Sequence, residues 1–439
     1  MSYSRTRSRR EARQKMRRLL YVNVTMLAVV LLIGGLLAYR WLHGGGSEML
    51  SGLFRPAPSH HSAAPPTDGP NPAADSALPD GSGAENGGTL PDGDGSEDGG
   101  GLSLPDGSPA PQDGGGSANE ATLAFVGDLL PASKVGDLMD KNGVDYPFAK
   151  AMDTLRSADL TAGNLETPLT NRGTPAENKQ YVFRGKPEYA AGIKDAGFDV
   201  LTLANNHTLD QGWEGLQDTM DALNEQGLQH VGSGVDDTEA FTPAYLEAGG
   251  IRFAFIGVSN VVPEVGWKAD KNHPGVAETY DTTRAVAAIR DAKKLADVVV
   301  VMVHWGKERS QEPIPVQVSV GHTFIDAGAD LIIGSHPHVL QGFEYYKKRW
   351  IAYSLGNFVF TTNGDSVTQQ TGVLKARCAK DGQCGLTFEP MYSSNSQPAP
   401  MDAEEGRQLL ASLSSLSIGA RIGEDGSITP LAESGEETP

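Results

Sequence analysis

Six short apolar runs, each closed by a polar cluster, constrain this chain more than any other feature. The run at 122–126 ends on Gly127-Asp128, and that at 160–162 on Gly163-Asn164-Leu165-Glu166. The run at 200–204 ends on Asn205-Asn206-His207, and that at 298–303 on His304-Trp305-Gly306-Lys307-Glu308. The last two, at 331–333 and 351–353, end on Gly334-Ser335-His336-Pro337-His338 and Ser354-Leu355-Gly356-Asn357. Short β-rich runs bounded by Gly and polar residues are buried strands. In open α/β sheets the ligand site lies beyond the carboxyl ends of the strands. Aspartate, glutamate, asparagine and three histidines are therefore expected on one shared sheet edge. That is a ligand set for a hard or borderline divalent metal.

Helical patterns alternate with these runs at 148–156, 188–196, 213–226, 282–295 and 316–327. Gly249-Gly250 between 244–248 and 251–258 reads as a two-residue hairpin. Later strand patterns at 357–360, 371–378 and 386–392 read as a meander. Alternation followed by hairpins predicts an α/β domain over 121–395, with two mixed β-sheets packed together and helices outside. The remaining 396–439 should form a helix at 401–415 and an acidic tail, frayed after Gly423.

The formal charge of −19 conceals an asymmetry. Residues 1–18 carry eight Arg and Lys against Glu11, which leaves the rest of the chain near −26. So acidic a body lacks the basic surface that phosphate backbones require, which argues against nucleic acid as a partner. The basic tail is better explained by the apolar segment next to it. An uncharged stretch begins at Leu19 and is long enough to cross a hydrocarbon core of ~30 Å as a helix. Tyr21, Tyr39 and Trp41 flank it, and no Ala-x-Ala cleavage pattern comes after it, so 19–42 is expected to be a transmembrane signal anchor. The positive-inside bias keeps 1–18 in the cytoplasm and sends everything after residue 43 outside. Residues 43–120, rich in Gly, Pro, Asp and Ser with Leu-Pro-Asp-Gly recurring at Leu78, Leu90 and Leu104, are expected to be a disordered linker. The chain's two cysteines, Cys378 and Cys384, flank the Asp381-Gly382 turn signal. In an oxidising exterior they can form a cross-strand disulfide.

A two-metal hydrolytic site needs oxygen ligands, neutral imidazoles, a bridging carboxylate and a proton donor. Asp128 and Glu166 offer the carboxylates. His304, His336 and His338 offer imidazoles, the last two stiffened by Pro337. Asn206 offers an amide oxygen while the adjacent His207 stays free for proton transfer.

Taken in order, these strings resemble the CapA family of capsule, or poly-γ-glutamate, biosynthesis proteins, also called PgsA. The resemblance covers about 121–395 and implies a variant of the calcineurin-like metallophosphoesterase fold. It implies that Asp128 is the first-strand ligand, Glu166 the bridging carboxylate and Asn206 the amide ligand. His304, His336 and His338 become the remaining metal ligands, and His207 the general acid. The implied cofactor is a divalent metal, one or two ions of Mn, Fe or Zn. This sequence departs from the superfamily pattern at two places. Leu130 stands where an Asp-x-His histidine belongs, and Glu166 lies in Gly-Asn-Leu-Glu rather than Gly-Asp-x-x-Asp. The site containing Asp128 and His338 should therefore be the weaker.

Asn164, Glu308 and Asn357 are expected to reach the pocket. Lys179 and Arg184 are expected to be solvated surface, and Trp305 and Phe358 core or pocket wall. No role is expected of His43, His60, His61, His230, His273 or His322. The resemblance implies a role in capsular polymer biosynthesis or export, and together with the expected anchor it makes the chain a membrane-anchored, extracellular protein of that kind. Its implied partners are the cell membrane, the polymer synthase components and the polyanionic polymer. ATP-dependent activation of glutamate occurs inside the cell, so export, attachment or release is the step left to an external domain. An extracellular metal-dependent phosphoesterase and a non-catalytic polyanion-binding module are the alternatives.

Overall fold

Each long apolar run is buried on both faces, because it lies in one of two sheets sandwiched between each other and outer helices. The structure is a computed structural model describing residues 119–431 apart from Asn178 and Asn363. The expected anchor at 19–42, the basic tail and the linker up to residue 118 lie outside the described residues. Among the described residues, no helix is long and apolar enough to cross a membrane.

In chain order the strands begin β1 (Glu120–Leu129), β2 (Leu160–Leu165), β3 (Val200–Thr202), β4 (Gln229–Val231), β5 (Ser233–Gly234) and β6 (Ala244–Ala248). There follow β7 (Ile251–Ser259), β8 (Gly275–Val276), β9 (Val298–His304), β10 (Leu331–Ser335), β11 (Phe343–Tyr346) and β12 (Arg349–Ala352). The rest are β13 (Asn357–Val359), β14 (Gln370–Ala379), β15 (Cys384–Ser394), β16 (Gln397–Pro400), β17 (Ala420–Ile422) and β18 (Ser427–Pro430). The first sheet runs β17-β18-β15-β14-β1-β2-β3-β4, parallel from β1 to β4 and antiparallel on the other flank. The second runs β11-β12-β10-β9-β7-β6, with β7, β9, β10 and β12 parallel. A short β5–β8 ribbon stands apart.

The period of two in a strand sorts side chains between layers. On β1, Leu123 and Phe125 enter the core between the sheets, while Ala124 and Val126 face outward. On β9, Val298, Val300 and Met302 point inward and Val299, Val301 and Val303 outward. Helices Ser133–Asn142, Tyr189–Asp195 and Gly212–Glu225 cover the first sheet through Met139, Ile193 and Leu216. Helices Thr283–Lys293 and Pro315–Ala327 cover the second through Ile289 and Phe324. The helix Ser133–Asn142 was not expected, because Val135 and Met139 are too few among charged residues to make a visible stripe.

Three expectations need correction. β13 does not belong to a meander: it pairs parallel to β1, with Asp128 opposite Asn357. The chain between β12 and β13 thus crosses from the second sheet to the first. The tail does not fray at Gly423, since β18 pairs with β15 and buries Ile428 in the inter-sheet core. The folded unit accordingly runs past residue 395, through the helix Ala403–Leu416, to Pro430. Between β14 and β15, Cys378 lies opposite Cys384 and the two form a disulfide.

Candidate metal centre

Both sheets end at the same rim. β1 ends just past Asp128, β2 carries Asn164 shortly before Glu166, and β3 runs into Asn205-Asn206-His207. From the other sheet, β9 ends on His304 and β10 runs into His336-Pro337-His338. The expected shared edge is thus a seam between the carboxyl ends of two sheets. The chain approaches itself closely here. A Cβ on Gly127 would fall 1.8 Å from the Gly356 carbonyl oxygen, and the Asp128 N–H donates to that oxygen at 2.9 Å.

Amides brace the cluster. Asn164 Nδ2 donates to Asp128 Oδ1 at 2.9 Å, and Asn164 Oδ1 accepts from Asn205 Nδ2 at 3.0 Å. His304 Nδ1 lies 2.9 Å from Ser335 Oγ, and its Nε2 lies 2.9 Å from Asn206 Oδ1. Glu166 Oε1 is 3.7 Å from both His304 Nε2 and His338 Nε2. His338 Nδ1 faces Asp128 Oδ2 at 3.1 Å and Asn357 Oδ1 at 3.0 Å. Three groupings bring ligand atoms within 4.8 Å of one another: Glu166, His304 and His336; Asp128, Glu166 and His338; and Glu308, His336 and His338.

Buried polar atoms are almost always hydrogen-bonded, because leaving one unmatched costs about 1–3 kcal/mol. Here Asp128 Oδ2, both Glu166 carboxylate oxygens and His336 Nδ1 are buried without a hydrogen bond. Such a concentration of lone pairs fits a cation. Oxygen and imidazole donors without thiolate suit a divalent ion of hard or borderline character. Backbone strain collects at the same place: His336 and His338 adopt φ of 96° and 57°.

Burial and crowded charge dominate the electrostatics here. Burial, and then the charge of Asp128, hold the Glu166 carboxyl well above its usual range. Burial and the neighbouring His336 and His338 hold His304 well below its own. Burial, with His338 beside it, pushes His336 down to about 3. Those two rings are neutral and keep a lone pair for a ligand. Burial also works against charge on His338, but Glu166 and Asp128 outweigh it and lift the ring to about 10.

His207 stands beside this cluster. Its Nδ1 lies 2.7 Å from Asp210 Oδ2 and 2.9 Å from Lys179 Nζ, with the Phe183 ring 4.6 Å away. Burial lowers its basicity and Asp210 opposes that. Lys179 is a correction to the sequence reading. It is largely buried, paired with the fully buried Asp210, bonded to the Asn206 carbonyl and set 5.1 Å over the Trp267 ring. A buried carboxylate needs a counter-charge, and Lys179 supplies it. Arg184 is exposed, as expected, and bonds Gln211.

A cleft of about 470 Å³ opens over His207 and His338, walled by Leu130, Phe183, Asn357 and Phe360. Trp305 and Phe358 are fully buried. His273 and His322 lie elsewhere, the first against Asp270 and the second stacked on Tyr346. His230, on β4, is outside the cluster.

A family model described as bacterial capsule synthesis protein PGA_cap matches residues 122–362. The chain is 34% identical over 286 residues to the capsule biosynthesis protein CapA of Bacillus anthracis, covering 64% of this chain and 69% of that protein. It is also 34% identical over 312 residues to the PGA biosynthesis protein CapA of Bacillus subtilis strain 168, covering 70% and 81%. Among solved structures, the NAD nucleotidase of Haemophilus influenzae overlaps it loosely. That match has 13% identity and a TM-score of 0.37, over 68% of this chain and 56% of that one.

Proposed function

The chain belongs to the bacterial capsule synthesis protein family, and from that membership we propose that it serves the biosynthesis or export of capsular poly-γ-glutamate through a metal-bearing cleft. The observation that carries this reading is the set of buried, unbonded carboxylate and imidazole atoms on Asp128, Glu166 and His336, inside the family match. Glu166, Asn206, His304 and His336 would hold one ion of Mn, Fe or Zn. Asp128, Glu166 and His338 would hold a second, more weakly. A bound divalent cation polarises the oxygen it meets and eases attack at the adjoining centre. The protein's own part is positional. Asp210 fixes Nδ1 of His207, which leaves Nε2 to pass a proton to a leaving group in the cleft. Phe183 and Phe360 supply apolar wall beside it.

The basic tail and the uncharged stretch at 19–39 support an anchor that holds this domain outside the membrane, next to polymer synthase components. Protease added to intact cells should then remove residues 121–439 from the labelled chain; full protection would contradict the topology. Deleting 121–439 should abolish surface polymer, and unchanged polymer sinks the role. A second reading, phosphoester hydrolysis, is favoured by the His207–Asp210 pair beside the cluster. It predicts Mn²⁺-dependent turnover of a generic phosphodiester that His207→Ala removes. Equal turnover in both proteins rejects it.

A further inference from the structure

Glu308 differs from every other member of the cluster in being exposed, and among the described residues its carboxylate makes no hydrogen bond or ion pair. Its loop is nonetheless held tightly. The Arg309 N–H donates to the Pro337 carbonyl at 2.7 Å, tying the loop to the residue between the two histidines. Gln341 Nε2 donates to the Ser310 carbonyl at 2.8 Å, and buried Gln317 donates to Gln341 Oε1 at 2.8 Å. Arg309 reaches Asp365 at 3.1 Å.

The bracing sets a Glu308 oxygen within 4.8 Å of ligand nitrogens on both His336 and His338. On the inner wall, Asp128, Glu166 and His338 offer three ligand atoms, where a divalent site takes four or more. Asp128 Oδ2, fully buried, meets only the His338 ring, whose Nδ1 lies 3.1 Å away.

We propose that Glu308 is a ligand of the second cation, reaching it from the cleft mouth through the His338 side, where its carboxylate groups with His336 and His338. This rests on reading the cleft as a metal site. It makes the second ion the solvent-accessible one, held by a loop rather than by a strand end, and the readier of the two to exchange.

The test is Mn²⁺ titration calorimetry on the full chain, with bound metal counted after gel filtration. The wild type should bind Mn²⁺ in two classes. Glu308→Gln should weaken the weaker class by roughly tenfold or more, since even groups behind the ligands cost 10–100-fold. Glu308→Asp should retain part of that affinity, and His304→Ala should strike the tighter class instead. Because Glu308 is exposed, its two variants should keep the wild-type circular dichroism spectrum. A wild-type titration curve from Glu308→Gln overturns the proposal and leaves the metal reading standing. A wild type that takes up no Mn²⁺ overturns both.

Discussion

His336 and His338 hold backbone conformations that cost a non-glycine residue of order 1–3 kcal/mol each, and they flank a proline that cannot relax them. Strain of this kind survives only where the surroundings require it, and here it turns two rings two residues apart into one cluster. His336→Ala should therefore cut bound metal by about tenfold or more. His207→Ala should keep wild-type metal while surface polymer falls, because Nδ1 of His207 is committed to Asp210 rather than to the cluster. Equal metal loss in the two variants would remove the proton-donor role. The histidines were legible in the sequence because each follows an apolar run. Asp210 was not, because His-x-x-Asp in a polar stretch looks like any solvated turn. Lys179 lies in a segment with no periodicity, and a lone lysine defaults to solvent until a buried partner is seen.

Between elements, the tightest approach is β1 against the β12–β13 crossing. Gly127→Ala would drive a methyl into the Gly356 carbonyl and should cost about 1–3 kcal/mol in urea unfolding, a typical overpacking penalty. Metal affinity should fall with it, since Asp128 is the next residue. At the opposite end of the second sheet, buried Asp330 receives Lys293 at 2.6 Å, Arg349 at 3.0 Å and the Val299 N–H at 2.8 Å. Removing one partner of such a group strands the others, so Asp330→Ala should cost about 3 kcal/mol by the same measurement. A loss below about 1 kcal/mol would mean water replaces the carboxylate freely. Strand existence was readable from the runs; sheet membership was not. β2 and β10 look alike in sequence, and nothing in the string 351–357 announces that the chain changes sheets there. The short β13 carries too few side chains to declare its partner, and its pairing is set by the crossing.

For the whole molecule, a cation that binds only the folded state adds stability by mass action, about 2.7 kcal/mol at a hundredfold excess over Kd. Mn²⁺ should raise the thermal midpoint and a chelator lower it, and the shift should vanish in Glu166→Ala. An unchanged midpoint in the wild type would argue against a filled site. The ligands come from both sheets and span Asp128 to His338 in sequence, and that placement has a consequence for timing. No partly folded chain that has built one sheet alone can hold the ion. The ion should therefore act as a latch rather than a seed: added Mn²⁺ slows the unfolding limb of a chevron and leaves the refolding limb where it was. The resting protein would then owe its lifetime to metal supply.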